Sequence, residues 1–277
     1  MTCLSRMSEI VGLFDLFAFD QYGTLHDGVA PYPGAITVLA ELCNARKKIV
    51  VVSNSGRTGR YNRARLDALG FNVEGLTVIT SGDCLRLWLK RNYPQGGLRI
   101  FVFGHSMESL PGWEQTEDIA DADLIIFNGL PAGATERDIV QHLEKSLGKG
   151  IPLVCTNPDE VALEGARSYR ATGSFARDYQ LRGGKVTFIG KPFPLIFEIT
   201  LAKFPDVDAG RAIYIGDSLE HDVKGAVLTG IKSLWLLNGV HRGEFDGVTA
   251  ETKWSIVRTL LTGIDAQPDF VMEELAW

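Results

Sequence analysis

Short apolar runs rich in β-branched and aromatic residues recur along the chain, and stretches with helical spacing lie between them. Leu16–Asp20, Ile49–Val52, Ile100–Phe103, Leu124–Phe127, Pro152–Cys155, Ala212–Ile215 and Ser233–Leu237 read as strands. Strands that alternate with helical patterns are the signature of βαβ units around a parallel sheet. The stretch Gly34–Arg46 predicts an amphipathic helix, with Ile36, Leu39, Ala40 and Cys43 at helical spacing. Thr135 and Asp138 form a capping-box pattern that opens a second helix. Pro194 suits the first turn of a third. Trp88 and Trp235 sit among apolar neighbours and are expected in the core. Gly and Pro cluster at Pro31–Gly34, Pro94–Gly97 and Gly183–Gly184, and the last two clusters read as domain junctions. No repeat or low-complexity tract interrupts this order.

A chain of 277 residues, 45% of them hydrophobic and 22% charged, can bury one large core or two ordinary ones. No apolar run approaches the roughly 18 residues that a membrane span requires. The apolar start is broken by Arg6, Glu9 and Asp15, which does not fit a secretory leader. With 28 basic and 34 acidic residues the net charge is −6, so neither a nucleic-acid nor an anionic membrane partner is expected. The cysteines Cys3, Cys43, Cys84 and Cys155 show no zinc-like spacing. They read as reduced thiols, mostly core, in a cytoplasmic protein.

Four segments carry candidate chemistry. Asp20 ends an apolar strand in Phe17-Ala-Phe-Asp20-Gln-Tyr22-Gly23-Thr24, where open α/β sheets bind ligands; an acid there also caps loops. Ser53-Asn54-Ser55-Gly56 follows the next strand, and a small hydroxyl with the N–H groups after it can hold an anion or cap a helix. In Gly190-Lys191-Pro192 a lysine at a strand-to-helix passage can set one compact positive charge beside anionic groups. In Gly216-Asp217-Ser218-Leu-Glu220-His221-Asp222 two carboxylates follow a strand, which suits Mg²⁺ or the N-terminal dipole of a helix.

The order Asp, Ser, Lys, then Gly-Asp-x4-Asp resembles the haloacid dehalogenase superfamily of aspartate-nucleophile hydrolases. The long stretch between Ser53 and Lys191, with His26-Asp27-Gly28 and Cys155-Thr-Asn157-Pro158-Asp159, is similar to class IIA, which includes 4-nitrophenylphosphatase-like and phosphoglycolate phosphatases. The resemblance implies an α/β fold: a Rossmann-like core with a parallel sheet, formed by 1–82 and 187–277, and a large α/β cap inserted at 83–186. It implies Asp20 as nucleophile and a Mg²⁺ cofactor held by Asp20, the Tyr22 carbonyl, Asp217 and Asp222. Ser53, Asn54, Ser55 and Lys191 would bind the phosphoryl group of a small phosphorylated substrate, with Asn157 and Asp159 near its leaving group. Relatives of this class often dimerise through the cap, so a homodimer is a further expectation.

One position departs from the pattern. Phosphatases of this superfamily carry a second aspartate, the general acid and base, where this chain has Tyr22. A phenol with a reference pKa of about 10 is a poor proton shuttle at neutral pH. Asp-x-Tyr-Gly-Thr also resembles the first motif of 2-haloacid dehalogenases, which need no metal. Three readings therefore stand: a phosphatase favouring good leaving groups, a dehalogenase-like hydrolase, or a regulatory protein with a residual phosphate site. Asp27 is a replacement proton donor if the hairpin after it folds back. The run Arg57 to Arg65, with Arg60 and Arg63 between, reads as a solvated helix face, and His105 and His221 as surface or core residues, with water or substrate contact as the alternative.

Overall fold

The computed structural model describes residues 1–105, 112–164 and 167–277. The chain first lays down β1 (Thr2–Cys3), β2 (Leu16–Phe19), α1 (Ala35–Asn44), β3 (Lys48–Ser53), α2 (Gly59–Ala68), β4 (Thr77–Thr80) and α3 (Ser81–Asn92). Then come β5 (Arg99–Phe103), β6 (Glu114–Gln115), β7 (Leu124–Phe127), α4 (Glu136–Leu147), β8 (Leu153–Cys155), β9 (Val161–Glu164), β10 (Arg167–Arg170) and α5 (Thr172–Leu181). It closes with β11 (Val186–Phe188), α6 (Pro194–Ala202), β12 (Ala212–Gly216), α7 (Lys224–Leu228), β13 (Lys232–Leu236), α8 (Arg242–Phe245), α9 (Ala250–Thr262) and β14 (Phe270–Met272). Both helix starts predicted from caps are present: Thr135 accepts the N–H of Asp138 ahead of α4, and α6 begins at Pro194.

Two compact units result. The first comprises Met1–Ser53, Arg63–Ile79 and Phe197–Trp277, and the second Asn54–Asn62 and Thr80–Ile196. The Gly-Pro clusters at 94–97 and 183–184 are therefore not domain junctions but turns inside the second unit, after α3 and α5. Gly96, Gly97 and Gly183 supply positive φ there, so they mark sharp reversals of direction rather than a change of domain.

The first unit is built on a seven-stranded sheet in the order β1-β14-β13-β12-β2-β3-β4. From β2 the chain winds outward through β3 and β4, and from β12 it winds the opposite way through β13 and β14. The order therefore reverses between β2 and β12, which pair in parallel with Phe19 opposite Ile215. Alternate side chains of β13 serve two separate cores. Leu234 and Leu236 join Phe17, Phe19, Val51, Ile213 and Ile215, whereas Trp235 joins Val223, Phe245, Val257 and Val271. The second unit has its own parallel sheet, β11-β8-β7-β5-β6, with Phe103, Ile125, Phe127, Leu153 and Cys155 packed against Ile139, Leu143, Phe175 and Tyr179. This is the α/β architecture expected, a Rossmann-like core with an inserted α/β domain.

Three expectations change on packing. Helix α1 buries Ala35, Val38, Leu39 and Leu42, while Ile36, Ala40 and Cys43 are exposed. Both stripes have helical spacing, and the one carrying Val38 and Leu42 fills the volume beneath the sheet. Of the thiols, Cys84 and Cys155 are buried, but Cys3 and Cys43 are exposed. Trp235 is fully buried, whereas Trp88 is only half-buried. Among the described residues no helix is long and apolar enough to cross a membrane.

Gly34, with φ +77°, turns the chain into α1 so closely that an added Cβ would lie 1.9 Å from the carbonyl oxygen of Leu275. Gly34→Ala should therefore cost at least about 2 kcal/mol from left-handed strain and displacement of that segment. Urea unfolding measures the loss, and an unchanged midpoint would refute the contact.

Candidate active site

The reversal of strand order between β2 and β12 opens a crevice at their carboxyl ends, where parallel α/β sheets place ligands. Asp20 follows β2, and its N–H donates to the carbonyl of Ile215 (2.8 Å), which fixes it beside β12. Asp217 follows β12, and Asp222 lies on the π-helical turn Leu219–Val223 after it. One carboxylate oxygen from each of the three lies within 4.8 Å of the others, and they are only 7%, 4% and 2% exposed.

Small residues make that convergence possible. A Cβ on Gly23 would come within 2.1 Å of Asp217 Oδ2, one on Gly239 would do the same, and one on Gly216 would lie 2.2 Å from Asp222 Oδ2. The carboxylates are also aimed by donors. Asp217 Oδ2 accepts the N–H of Val240 (2.6 Å) and its Oδ1 the hydroxyl of Thr24 (3.3 Å). Asp222 Oδ2 accepts the N–H of Ser218 (3.0 Å). The indole N–H of Trp235 donates to the Asp217 backbone carbonyl (3.0 Å), so this residue holds the loop as well as filling the core. From sequence Trp235 is read only as core and Val240 carries no signal, while Thr24, two residues after Tyr22, stands in a motif. A buried, oxygen-only set of three carboxylates has the donor chemistry of a Mg²⁺ site.

The turn after Asp20 is tied by a buried polar pair. His26 Nδ1 accepts the N–H of Gly28 (2.9 Å), so the ring proton sits on Nε2, 3.1 Å from the amide nitrogen of Gln21. The Gln21 amide oxygen has no partner, and turning the amide over gives that proton its acceptor. Burial, and then the charge of Arg65, push the His26 pKa down to about 4. Tyr22 points outward at 40% exposure, its ring edge-on to His26 (4.5 Å between centroids) with the Arg65 guanidinium 5.3 Å above it. Arg65 also donates to the Gly28 carbonyl (2.7 Å), so this arginine holds the turn rather than a solvated face. Asp27 is exposed, and its Oδ1 accepts the N–H groups of Ala30 (2.7 Å) and Val29 (2.8 Å). Those bonds hold its carboxyl below the usual carboxylate range, which removes it as a stand-in proton donor at neutral pH.

Ser53 ends β3 in the first unit, and Asn54, Ser55, Asn157, Asp159 and Lys191 belong to the second. Asn54 is the centre of a buried network. Its Nδ2 donates to Asp159 Oδ1 (2.8 Å) and the Lys191 carbonyl (3.1 Å), and its Oδ1 accepts the Lys191 N–H (2.6 Å) and the Ser81 hydroxyl (3.4 Å). Lys191 is 3% exposed. Ser55 Oγ accepts from Asn62 Nδ2 (3.1 Å) and the Arg57 N–H (3.3 Å). Asn157 Oδ1 accepts the Asp159 N–H (3.1 Å), forming a tight turn. His105 lies 3.4 Å from Arg57, and burial followed by that charge lowers its pKa.

A parallel α/β core with an aspartate after one central strand and a Gly-Asp pair after its neighbour is the arrangement that the resemblance implies. Two family models match: "Haloacid dehalogenase-like hydrolase" over residues 17–110 and "HAD-hydrolase-like" over 188–276. The chain belongs to the haloacid dehalogenase-like hydrolases. It is 28% identical to glycerol-3-phosphate phosphatase of Gallus gallus (82% of this chain, 80% of that protein) and 27% identical to chronophin of Homo sapiens (87% and 86%). A haloacid dehalogenase-like hydrolase from Brucella suis 1330 superposes with a TM-score of 0.82 at 25% identity, over 99% of this chain and 100% of that one. The p-nitrophenyl phosphatase of Archaeoglobus fulgidus shares the fold, with a TM-score of 0.73 at 23% identity, over 93% and 95%.

His26 sets a pH dependence of stability. The folded ring binds its proton near pH 4 and the unfolded one near about 6.5. Its contribution is therefore complete above about pH 6.5 and is lost as the pH falls towards 4. Between pH 7 and pH 5 the wild type should lose about 2 kcal/mol more than His26→Gln in urea unfolding. Parallel losses in the two proteins would contradict the buried neutral ring.

Proposed function

We propose that the chain is a Mg²⁺-dependent phosphatase of a small phosphorylated metabolite, with Asp20 as its nucleophile. The observation that carries this reading is the buried Asp20–Asp217–Asp222 cluster at the strand-order reversal. The relative named glycerol-3-phosphate phosphatase supports it, and the cluster weighs against a dehalogenase, which needs no cation.

In this reaction an Asp20 carboxylate oxygen attacks phosphorus as the bond to the leaving oxygen breaks. Water then hydrolyses the aspartyl-phosphate, restoring Asp20 and releasing inorganic phosphate. Asp20, the Tyr22 carbonyl, Asp217 and Asp222 hold Mg²⁺, which when bound supplies positive charge against the phosphoryl oxygens. The Ser53 hydroxyl and the N–H groups of Asn54 and Ser55 bind those oxygens, and the Lys191 ammonium neutralises charge. The resemblance assigns Asn157 and Asp159, on the segment 83–186 read as a cap, to the leaving group.

Phosphate release from 4-nitrophenyl phosphate tests the reading. Wild type should turn over with Mg²⁺ and stop in EDTA, and Asp20→Asn should be inactive. Equal release by Asp20→Asn would sink the nucleophile assignment, and metal-independent release would sink the cation.

Tyr22 adds a second expectation. Without a carboxylic acid at that position, leaving groups that need protonation should react slowly, because general acid help is worth about 10²–10⁴-fold. Tyr22→Asp should raise kcat on an alkyl phosphate by at least about 10-fold while changing kcat on 4-nitrophenyl phosphate much less. Equal gains on both substrates would show that the tyrosine limits something other than proton transfer.

A further inference from the structure

The Asn54 side chain offers two N–H donors and one carbonyl oxygen with two acceptor positions. All four places are taken, by Asp159, Ser81 and both backbone groups of Lys191. Asn54 is 6% exposed, and with its places filled the side-chain amide presents no further donor to a phosphate. The partners come from far along the chain: Ser81 opens α3, Asp159 follows β8, and Lys191 follows β11. Gly190 confirms how tight this junction is. It has φ +121°, and a Cβ there would lie 2.5 Å from Ser81 Oγ, 2.6 Å from Asn54 Oδ1 and 3.0 Å from Pro158 Cδ.

We propose that Asn54 is a positioning residue, whose amide locks the Lys191 backbone and the Asp159 carboxylate into one register, rather than a phosphate ligand through its side chain. Both backbone groups of Lys191 are engaged by the same amide plane, which fixes the direction in which its side chain leaves the main chain. Asp159 receives one of the amide protons at Oδ1, while the Asn157 carbonyl oxygen of the side chain holds its N–H. A charged acceptor strengthens that bond, so Asp159 anchors the Asn54 amide in the one orientation that also serves Lys191. The lysine and the carboxylate assigned to opposite ends of the phosphate ester are thereby held as one unit.

An exchange of the two side chains tests this. Asn54→Asp removes both donors and sets a carboxylate against Asp159. Asp159→Asn keeps an acceptor for Asn54. The double variant restores a donor–acceptor pair in the opposite sense, from the new amide at 159 to the new carboxylate at 54, and keeps an acceptor for the Lys191 N–H. The first readout is amide hydrogen exchange of the peptide spanning 188–193, which needs no activity. It should quicken by about 10-fold or more in Asn54→Asp, stay near wild type in Asp159→Asn, and return most of the way in the double variant. The second readout rests on the phosphatase reading: kcat on 4-nitrophenyl phosphate should fall in Asn54→Asp and recover in part in the double variant, with a smaller change in KM. No change in exchange in Asn54→Asp, or a double variant no better than that single one, would overturn the proposal. An inactive wild type would instead remove the phosphatase reading and leave the exchange data as the test of the clamp.

Discussion

Three carboxylates within 4.8 Å of one another and almost out of water are the constraint around which the first unit is arranged. At that separation each like-charged pair opposes folding by about 3 kcal/mol at an effective dielectric constant of about 20. The chain nevertheless converges them. Gly23, Gly216 and Gly239 leave room that any Cβ would fill, and N–H groups from Ser218 and Val240 point at the oxygens. Trp235 reaches from the core to the Asp217 carbonyl. Elements that look like ordinary packing therefore hold together a cluster that is unfavourable by itself. A cluster held against its own repulsion is suited to a divalent cation, whose charge turns the same proximity into an attraction.

In the second unit an uncharged amide has the organising role. Asn54 meets three segments that are remote in sequence, and saturation of its hydrogen-bonding places gives the junction a single arrangement. Buried amides serve this purpose well, since any slip in register leaves a buried donor or acceptor without a partner, at about 1–3 kcal/mol each. Ser53 is the last residue of β3, and Asn54 begins the second unit. One peptide bond therefore connects the strand that ends beside β2 to the network around Lys191.

The parts legible in the sequence were those governed by local pattern. The central strands were readable because each is an apolar run of four to six residues buried on both faces, as β2, β7 and β12 show. The carboxylates and Lys191 stood out because strand ends carry ligand sites. Short strands such as β1, β6 and β14, of two or three residues, have no signal of their own and exist because a neighbour offers a ladder. The face of α1 was misread because apolar residues lie all round it, and only packing against the sheet selects the stripe with Val38 and Leu42. The role of Asn54 was invisible for a related reason. An asparagine after Ser53 can serve an anion or the fold equally well, and only the distances to Asp159 and Lys191 separate the two.

The turn after Asp20 bears on the proton inventory of the proposed reaction. At the position where the resemblance implies an acid, Tyr22 lies outward between His26 and Arg65. Its neighbours do not replace that acid. Asp27 is held as an anion by Ala30 and Val29, and His26 is kept neutral by burial, with its Nδ1 committed to Gly28. Each is fixed in the protonation state that stabilises the turn, and a group so fixed has little tendency to exchange a proton near neutral pH. The residues that make this turn rigid enough to aim Asp20 are thus the same ones that take it out of proton transfer. The reaction proposed at Asp20 would thereby favour leaving groups that depart as stable anions.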